Sequence, residues 1–443
     1  METQEKSFVE SLTRFIRRSV TLKILTIVIL MLMLLIPMEF VRSLIFEREQ
    51  LRQAAITEVS DKWANKQDIY GPVLTLPFNE RIIEDGKVEI VRKEAHFLPS
   101  VLNIEGKIDP QKRKRGIYEV VVYDSEVRLT GSFDDLQNHL SDLKDMELLW
   151  DEAFLTVNIS DLRGIKDKIA CTVNGQEMQV QPGSHIPELI MSGITVSHII
   201  NQAPEGEEFA FSLDLHLKGS QYLGFAPLGK ETSVKLTSAW KDPSFSGSFL
   251  PDDRTVDKNG FSASYNILEV NRNYPQFWTG IKNMESIRSS KFGVDLLLPV
   301  NDYQKATRSA KYALLVIALT FLTFFLVEIF NKKEVHPFQY ILIGLALVLF
   351  YTLLISISEH LNFNIAYLIS SLAIISIIGF YAKAILHNIR QTIVLVMILS
   401  FTYTFVYVTL QLQDYALLIG SIGLTTILAF TMYITRKINW YEK

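Results

Sequence analysis

The chain carries one cysteine, Cys171, in 443 residues. A single thiol excludes an internal disulfide framework and a cysteine-based zinc site. Cys171 lies in the strand-like run 169–173 and reads as a buried structural thiol. The eight histidines show neither H-E-x-x-H nor any other metal-ligand spacing. A G-x-S-x-G nucleophile elbow is also absent. Lys and Arg number 44 against 48 Asp and Glu, a net charge of −4. With no basic face, a nucleic-acid partner is not expected. One segment comes near a phosphate-binding loop: residues 224–232, GFAPLGKET. It places Glu231 where G-x4-G-K-[ST] requires a hydroxyl. Strand-like sequence follows it, in place of the helix whose N-terminus would receive phosphate. The segment reads as a tight turn built on Pro and Gly. Neither an enzymatic activity nor a cofactor nor a nucleotide is expected.

What the chain has in abundance is apolar sequence, unevenly placed. Its mean hydropathy of +0.19 averages an ordinary charged middle, residues 46–308, with a region after Arg308 that is nearly all apolar and aromatic. Runs of about 18 or more apolar residues read as membrane spans. Six are present, at residues 21–42, 309–330, 337–358, 363–381, 389–409 and 415–434. The first follows a polar segment, residues 1–20, with Arg14, Arg17 and Arg18. It is too long for a cleaved signal peptide, and no small-residue cleavage site follows, so an uncleaved signal anchor is expected.

Positive charge sets the orientation. Basic residues flank the first span and recur at Lys332 and Lys333, at Lys383 and Arg390 beside His387, and in the 435–443 tail. The loops at 359–364 and 411–414 contain neither Lys nor Arg. Both termini are therefore expected on the cytoplasmic side of the membrane. That leaves residues 43–308 as a domain outside the cytoplasm.

Within that domain residues 46–67 read as a helical stalk. Residues 133–146 read as its one clear amphipathic helix. Alternating β-branched and aromatic residues mark strands at 116–133, 153–160, 209–217, 232–240 and 260–270. The Gly-Ser pairs 131–132 and 219–220 sit in similar contexts. Two readings stay open, a tandem β duplication or turn chemistry shared by chance. The expected fold class is a six-helix transmembrane bundle, one plus five, carrying a large, mainly-β, sandwich-like domain.

Candidate functional residues come from the spans, where ionisable groups are costly and usually face the bundle interior. Glu328 lies one turn from the end of the second span, where it either serves function or reaches Lys332 at i+4. Glu359 and His360 close the third span, either as functional groups or as caps in the headgroup layer. His336 opens that span, beside Gln339 and Tyr340, which are placed to bond across helices. Tyr351 and Tyr367 read as packing or interface aromatics. No Lys or Arg lies mid-span. If both carboxylates are only interfacial anchors, Glu328→Gln should matter less than Glu359→Gln.

A set of ordered segments resembles one family. WANKQDIYGPVLTLP (63–77), RKRGIYEVVVY (113–123), SDLRGI (160–165), GFAPLGKET, SAWKDPSFSGSFLP (238–251) and GFSASY (260–265) fall in the middle region. RSAKYALLVIALTF (308–321), HPFQY (336–340), FYTLLISISEH (350–360) and AYLIS (366–370) fall in the spans. In these the chain resembles the CreD family of bacterial inner-membrane proteins. Two positions depart from the expected pattern, Ala64 where Gly and Tyr265 where Trp is expected. The resemblance implies an inner-membrane protein with an outward domain, linked to envelope integrity, colicin tolerance and stress responses, and no chemical activity. The expected partners are the lipid bilayer and an unknown envelope protein or cell-wall component. The expected role is support of the envelope through the outer domain, the alternative being transport or insertase-like work by the five-helix bundle.

Overall fold

In a computed structural model the chain forms two compact units. One joins Met1–Arg52 to Val300–Lys443 and the other is Gln53–Pro299. The structure describes residues 20–436 except 85–86, 135, 145, 201–208, 297, 299–301, 332–334 and 413–414.

Helix α1, Val20–Trp63, is one helix of 44 residues, so the expected first span and stalk are continuous. Its apolar half suits a membrane interior. From Glu39 onward charged residues return, with Arg42 bonded to Glu39 and Arg52 to Glu49 at i,i+3.

The middle unit contains β1 (Gln67–Glu84), β2 (Lys87–Phe97), β3 (Val101–Arg115), β4 (Tyr118–Phe133), β5 (Glu147–Leu148), β6 (Phe154–Ile159), β7 (Ala170–Val173), β8 (Gln176–Met178) and β9 (Val180–Pro182). It continues with β10 (Gly193–Ser197), β11 (Phe209–Ser220), β12 (Tyr222–Phe225), β13 (Glu231–Ser238), β14 (Pro243–Gly247), β15 (Asp253–Asp257), β16 (Gly260–Leu268), β17 (Phe277–Thr279) and β18 (Phe292–Leu296). Short helices α2 (Leu136–Leu140) and α3 (Met284–Ser289) interrupt them.

Two sheets result. The larger runs β14-β18-β12-β1-β6-β10-β9, with β2 and β5 also on β1 and β17 on β2. The other runs β15-β16-β13-β3-β4-β11-β7-β8. One hydrophobic core draws from both, including Ile69, Leu74 and Val157 from the first sheet and Ile104, Leu129 and Leu215 from the second. Ile104 faces Leu129 across β3 and β4, and Leu129 faces Leu213 across β4 and β11.

Alternation explains the second sheet. The outward positions of β3, β13 and β16 are mostly polar and the inward ones mostly apolar. Strand β6, by contrast, is buried at every position, Thr156 and Asn158 included. Each large apolar side chain buried here contributes about 1.5–3 kcal/mol. Leu129→Ala, at a fully buried position, would cost about 2–5 kcal/mol.

Two expectations change. Residues 133–146 do not form one amphipathic helix. Phe133 ends β4, α2 is five residues long, and a 3-10 turn follows at Ser141–Leu143. Nor do the two Gly-Ser segments belong to separate tandem β units. β4 and β11, which carry them, are antiparallel neighbours in one sheet, and strands of the two sheets interleave along the chain.

The other unit continues after the β region with α4 (Asp302–Lys311), α5 (Ala313–Asn331), α6 (Pro337–Ser358), α7 (Phe363–Leu386), α8 (Ile389–Gln411) and α9 (Ala416–Thr435). With α1, six helices among the described residues are long and apolar enough to cross a membrane. Their starts follow from local chemistry. Asn362 caps α7 by accepting from the Ile365 amide (3.0 Å), and Asn388 caps α8 by accepting from that of Arg390 (3.0 Å). The core of this unit includes Met38, Ile317, Phe321, Leu347, Phe350 and Tyr403. Tyr351 and Tyr367 are buried in it, and their rings pack against Phe350.

Candidate functional site

Glu328 lies near the end of α5 with 4% of its side chain exposed. Its Oε1 accepts from Lys23 Nζ (2.6 Å) and from the backbone N–H of Val335 (3.2 Å). Its Oε2 accepts from the Tyr340 hydroxyl (3.1 Å). The carboxylate thus ties α1, α5 and α6 together. Lys332, the expected partner, lies outside the described residues.

The segment leading into α6 explains the geometry. Pro337 occupies the first turn, where its missing N–H costs nothing. His336 Nδ1 accepts from the Phe338 amide (3.2 Å), and Gln339 Oε1 accepts from the His336 amide (2.9 Å). This reciprocal cap sets the start of α6 and so the position of Tyr340. The Tyr340 ring is fixed edge-on by Phe321 and Phe324. Hydrogen bonds to an ionised carboxylate are stronger than neutral ones. A carboxylate so fully engaged is suited to holding helices together. It is poorly placed to accept a proton from a substrate, because its donors already occupy it.

At the other end of α6, Glu359 Oε1 accepts from the Tyr303 hydroxyl (3.1 Å) and lies 3.6 Å from Arg48 Nε. Glu359 keeps 12% of its side chain exposed. His360 is exposed, and its backbone N–H bonds to Ile357 O. Helix α6 has 22 residues, about 33 Å at 1.5 Å per residue. The six residues singled out by sequence therefore form two groups at opposite ends of one helix. Glu328, Tyr340, His336 and Gln339 lie at one end, and Glu359 and His360 at the other.

Sequence reasoning missed Lys23, Arg48 and Tyr303 as partners. Lys23 carried a signal, since it interrupts an otherwise apolar run near one end of the first span. A carboxylate at matching depth in another span was the partner to seek. Among the described residues no group of three or more His, Cys, Asp or Glu side chains is placed to hold a metal ion.

The family model described as "Inner membrane protein CreD" matches residues 19–441. The chain is 33% identical over 418 residues to the Inner membrane protein CreD of Escherichia coli (strain K12), covering 93% of this chain and 91% of that one. The chain belongs to the CreD family. A solved M1 zinc metallopeptidase from Deinococcus radiodurans shares 10% identity, covering 38% of this chain and 39% of its own, at a TM-score of 0.20. That likeness is too slight to bear on fold or function.

The motifs through which the chain resembles the CreD family have physical roles. WANKQ and SDLRGI lock together. Asp161 accepts from the Asn65 amide (2.9 Å) and from Arg163 Nη2 (2.7 Å). The Gln67 side chain donates to Asp161 O and accepts from the Asp161 amide. The Arg163 guanidinium beside it holds the Asp161 carboxyl down at about 2. Gly71 has φ +137°, and a Cβ there would meet the Thr156 carbonyl oxygen at 2.9 Å. In GFAPLGKET the Gly229 amide donates to Thr232 Oγ1 (3.0 Å) and Glu231 opens β13, the geometry of a turn entering a strand. Both departures, Ala64 and Tyr265, are fully buried, with Tyr265 packed on Phe292. Cys171 is buried too, and burial pushes its thiol up to about 11, which leaves it unreactive.

Proposed function

We propose that this CreD-family chain is a non-enzymatic inner-membrane protein that supports envelope integrity under stress. In this reading its β region faces the periplasm, both termini are cytoplasmic, and the β region binds another envelope protein or a cell-wall component. The observation that carries it is the engagement of Glu328. Its carboxylate is bonded within the helical unit, as in an anchor, whereas a transport path needs polar groups open to a passing substrate. The apolar groove between α5, α8 and α9 is lined by residues such as Leu322, Phe401 and Phe430, and Glu328 is not among its lining residues. That supports the anchor reading over the insertase-like alternative.

The β region offers a binding surface. On the outward side of the second sheet a cleft of about 740 Å³ is lined by Glu105, Lys107, Arg128, Asp214 and His216 among others. Its charges alternate across strands, with Arg128 Nε 2.6 Å from Asp214 Oδ1. Such a surface suits a polar partner with charges of both signs.

The test is complementation of a strain lacking the protein, scored by leakage of a large antibiotic. We expect Arg128→Ala with Asp214→Ala to reduce rescue while the protein remains in the membrane at normal level. Full rescue by that variant would remove the cleft from the account. A reporter fused after Arg254 should be active only in its periplasmic form. Cytoplasmic activity there would overturn the orientation.

A further inference from the structure

The helical unit contains a cleft that neither the anchor reading nor the Glu328 cluster uses. It lies between α1 and α4, has a volume of about 740 Å³, and is lined by Arg42, Glu49, Arg308 and Lys311 together with Ile45 and Phe46, among others. Such a volume falls within the roughly 300–1,000 Å³ of small-molecule sites. We propose that this cleft binds the phosphate ester of an anionic membrane lipid, with Arg42, Arg308 and Lys311 as its cations.

Charge supports the assignment. Three of the lining residues named are cations, and the one carboxylate, Glu49, is bonded to Arg52 (3.3 Å). Arg42 is held by Glu39 (3.3 Å) at a largely exposed position. Arg308 and Lys311 have no side-chain partner among the described residues. Guanidinium and ammonium groups are the usual donors to phosphate oxygens.

Depth supports the lipid source. From Lys23 to Arg42 α1 rises about 28 Å at 1.5 Å per residue. From Lys311 to Glu328 the chain covers about 25 Å on the same basis. The Lys23–Glu328 pair marks one end of these two helices. The cleft therefore lies near the opposite edge of an apolar layer about 30 Å thick, at the level of lipid phosphates. Beside it α1 exposes Phe40 (73%) and Ile36 (62%), a path for acyl chains toward the bilayer interior. A free phosphate would use the cations and leave this path unused. Basic pockets between spanning helices are a general form of headgroup recognition.

The test uses the full chain, purified in detergent, stripped of lipid, and mixed with phosphatidylglycerol or phosphatidylcholine of identical acyl chains. Retained lipid is counted by native mass spectrometry. We expect roughly tenfold preference for phosphatidylglycerol, lost in Arg308→Gln with Lys311→Gln and kept in the control Lys258→Gln with Lys282→Gln. Equal retention of the two lipids by the unaltered chain would overturn the proposal, and that comparison needs no variant. So would unchanged phosphatidylglycerol retention in the folded Arg308/Lys311 variant. A third arm adds inorganic phosphate. If millimolar phosphate displaces phosphatidylglycerol completely, the site recognises a free anion and the lipid assignment falls.

Discussion

The two units place most of their polar groups by different means. The helical unit buries a charge and neutralises it on the spot, with Lys23, Tyr340 and the Val335 amide all on Glu328. The β unit buries a neutral group, His96, whose Nδ1 lies 3.0 Å from Thr75 Oγ1 and whose ring lies against Trp278. Most of its charges lie outside, in cross-strand pairs such as Arg128–Asp214, and Lys93 with Glu80, while the buried carboxylate of Asp161 is held by Arg163 at the edge of the fold's interior. The difference reflects the surroundings. A sheet with a wet face can turn charges outward at every second residue. A helix in an apolar layer has no wet face along its length, so a charge must find a partner or reach an end.

Lys23→Met should break this comparison most strongly. It leaves Glu328 buried without its cation, at a cost of about 3 kcal/mol. That is the low end of the range for a broken buried pair, since Lys23 is 29% exposed. Unfolding of the full chain in detergent would measure it. Lys23→Met with Glu328→Met should recover most of the loss. A double variant as unstable as the single one would show that the pair is not the source.

The β unit should respond to acid instead. Burial lowers the His96 pKa to about 4, from an ordinary 6.5. Its folded pKa is depressed, so the unfolded state takes up the proton first. The stability is fully present above pH 6.5 and is lost as pH falls toward 4, by about 3 kcal/mol in total. Melting curves across that window should show the loss, and His96→Asn should flatten it. The same slope in both proteins would place the acid sensitivity elsewhere.

Smaller effects sharpen the contrast. Tyr340→Phe removes one donor of three from Glu328 and should cost about 1 kcal/mol. Glu359→Gln should cost less than about 1 kcal/mol, because its partner Arg48 is 38% exposed. Glu328→Gln is therefore expected to cost more than Glu359→Gln, the opposite of the ranking for two interfacial anchors. If Glu359→Gln proves the more damaging in a stability assay, burial is not what separates the two ends of α6.

Much of this was legible in the residues alone. The six apolar runs declare themselves because a bilayer demands length and low polarity along one continuous segment. Strands β4, β6, β11, β13 and β16 showed through alternation or β-branched density. Strands β1 to β3 were less legible, since Pro72 and Pro77 interrupt β1 and the end of β3 is a basic run, residues 112–115. Glu328 and Tyr340 were singled out because ionisable and hydroxyl groups are costly in apolar segments. What only the tertiary structure decided is who meets whom. Lys23 and Glu328 are 305 residues apart, and no local pattern relates them. Composition and periodicity act over one element, whereas an ion pair across helices depends on how those helices pack.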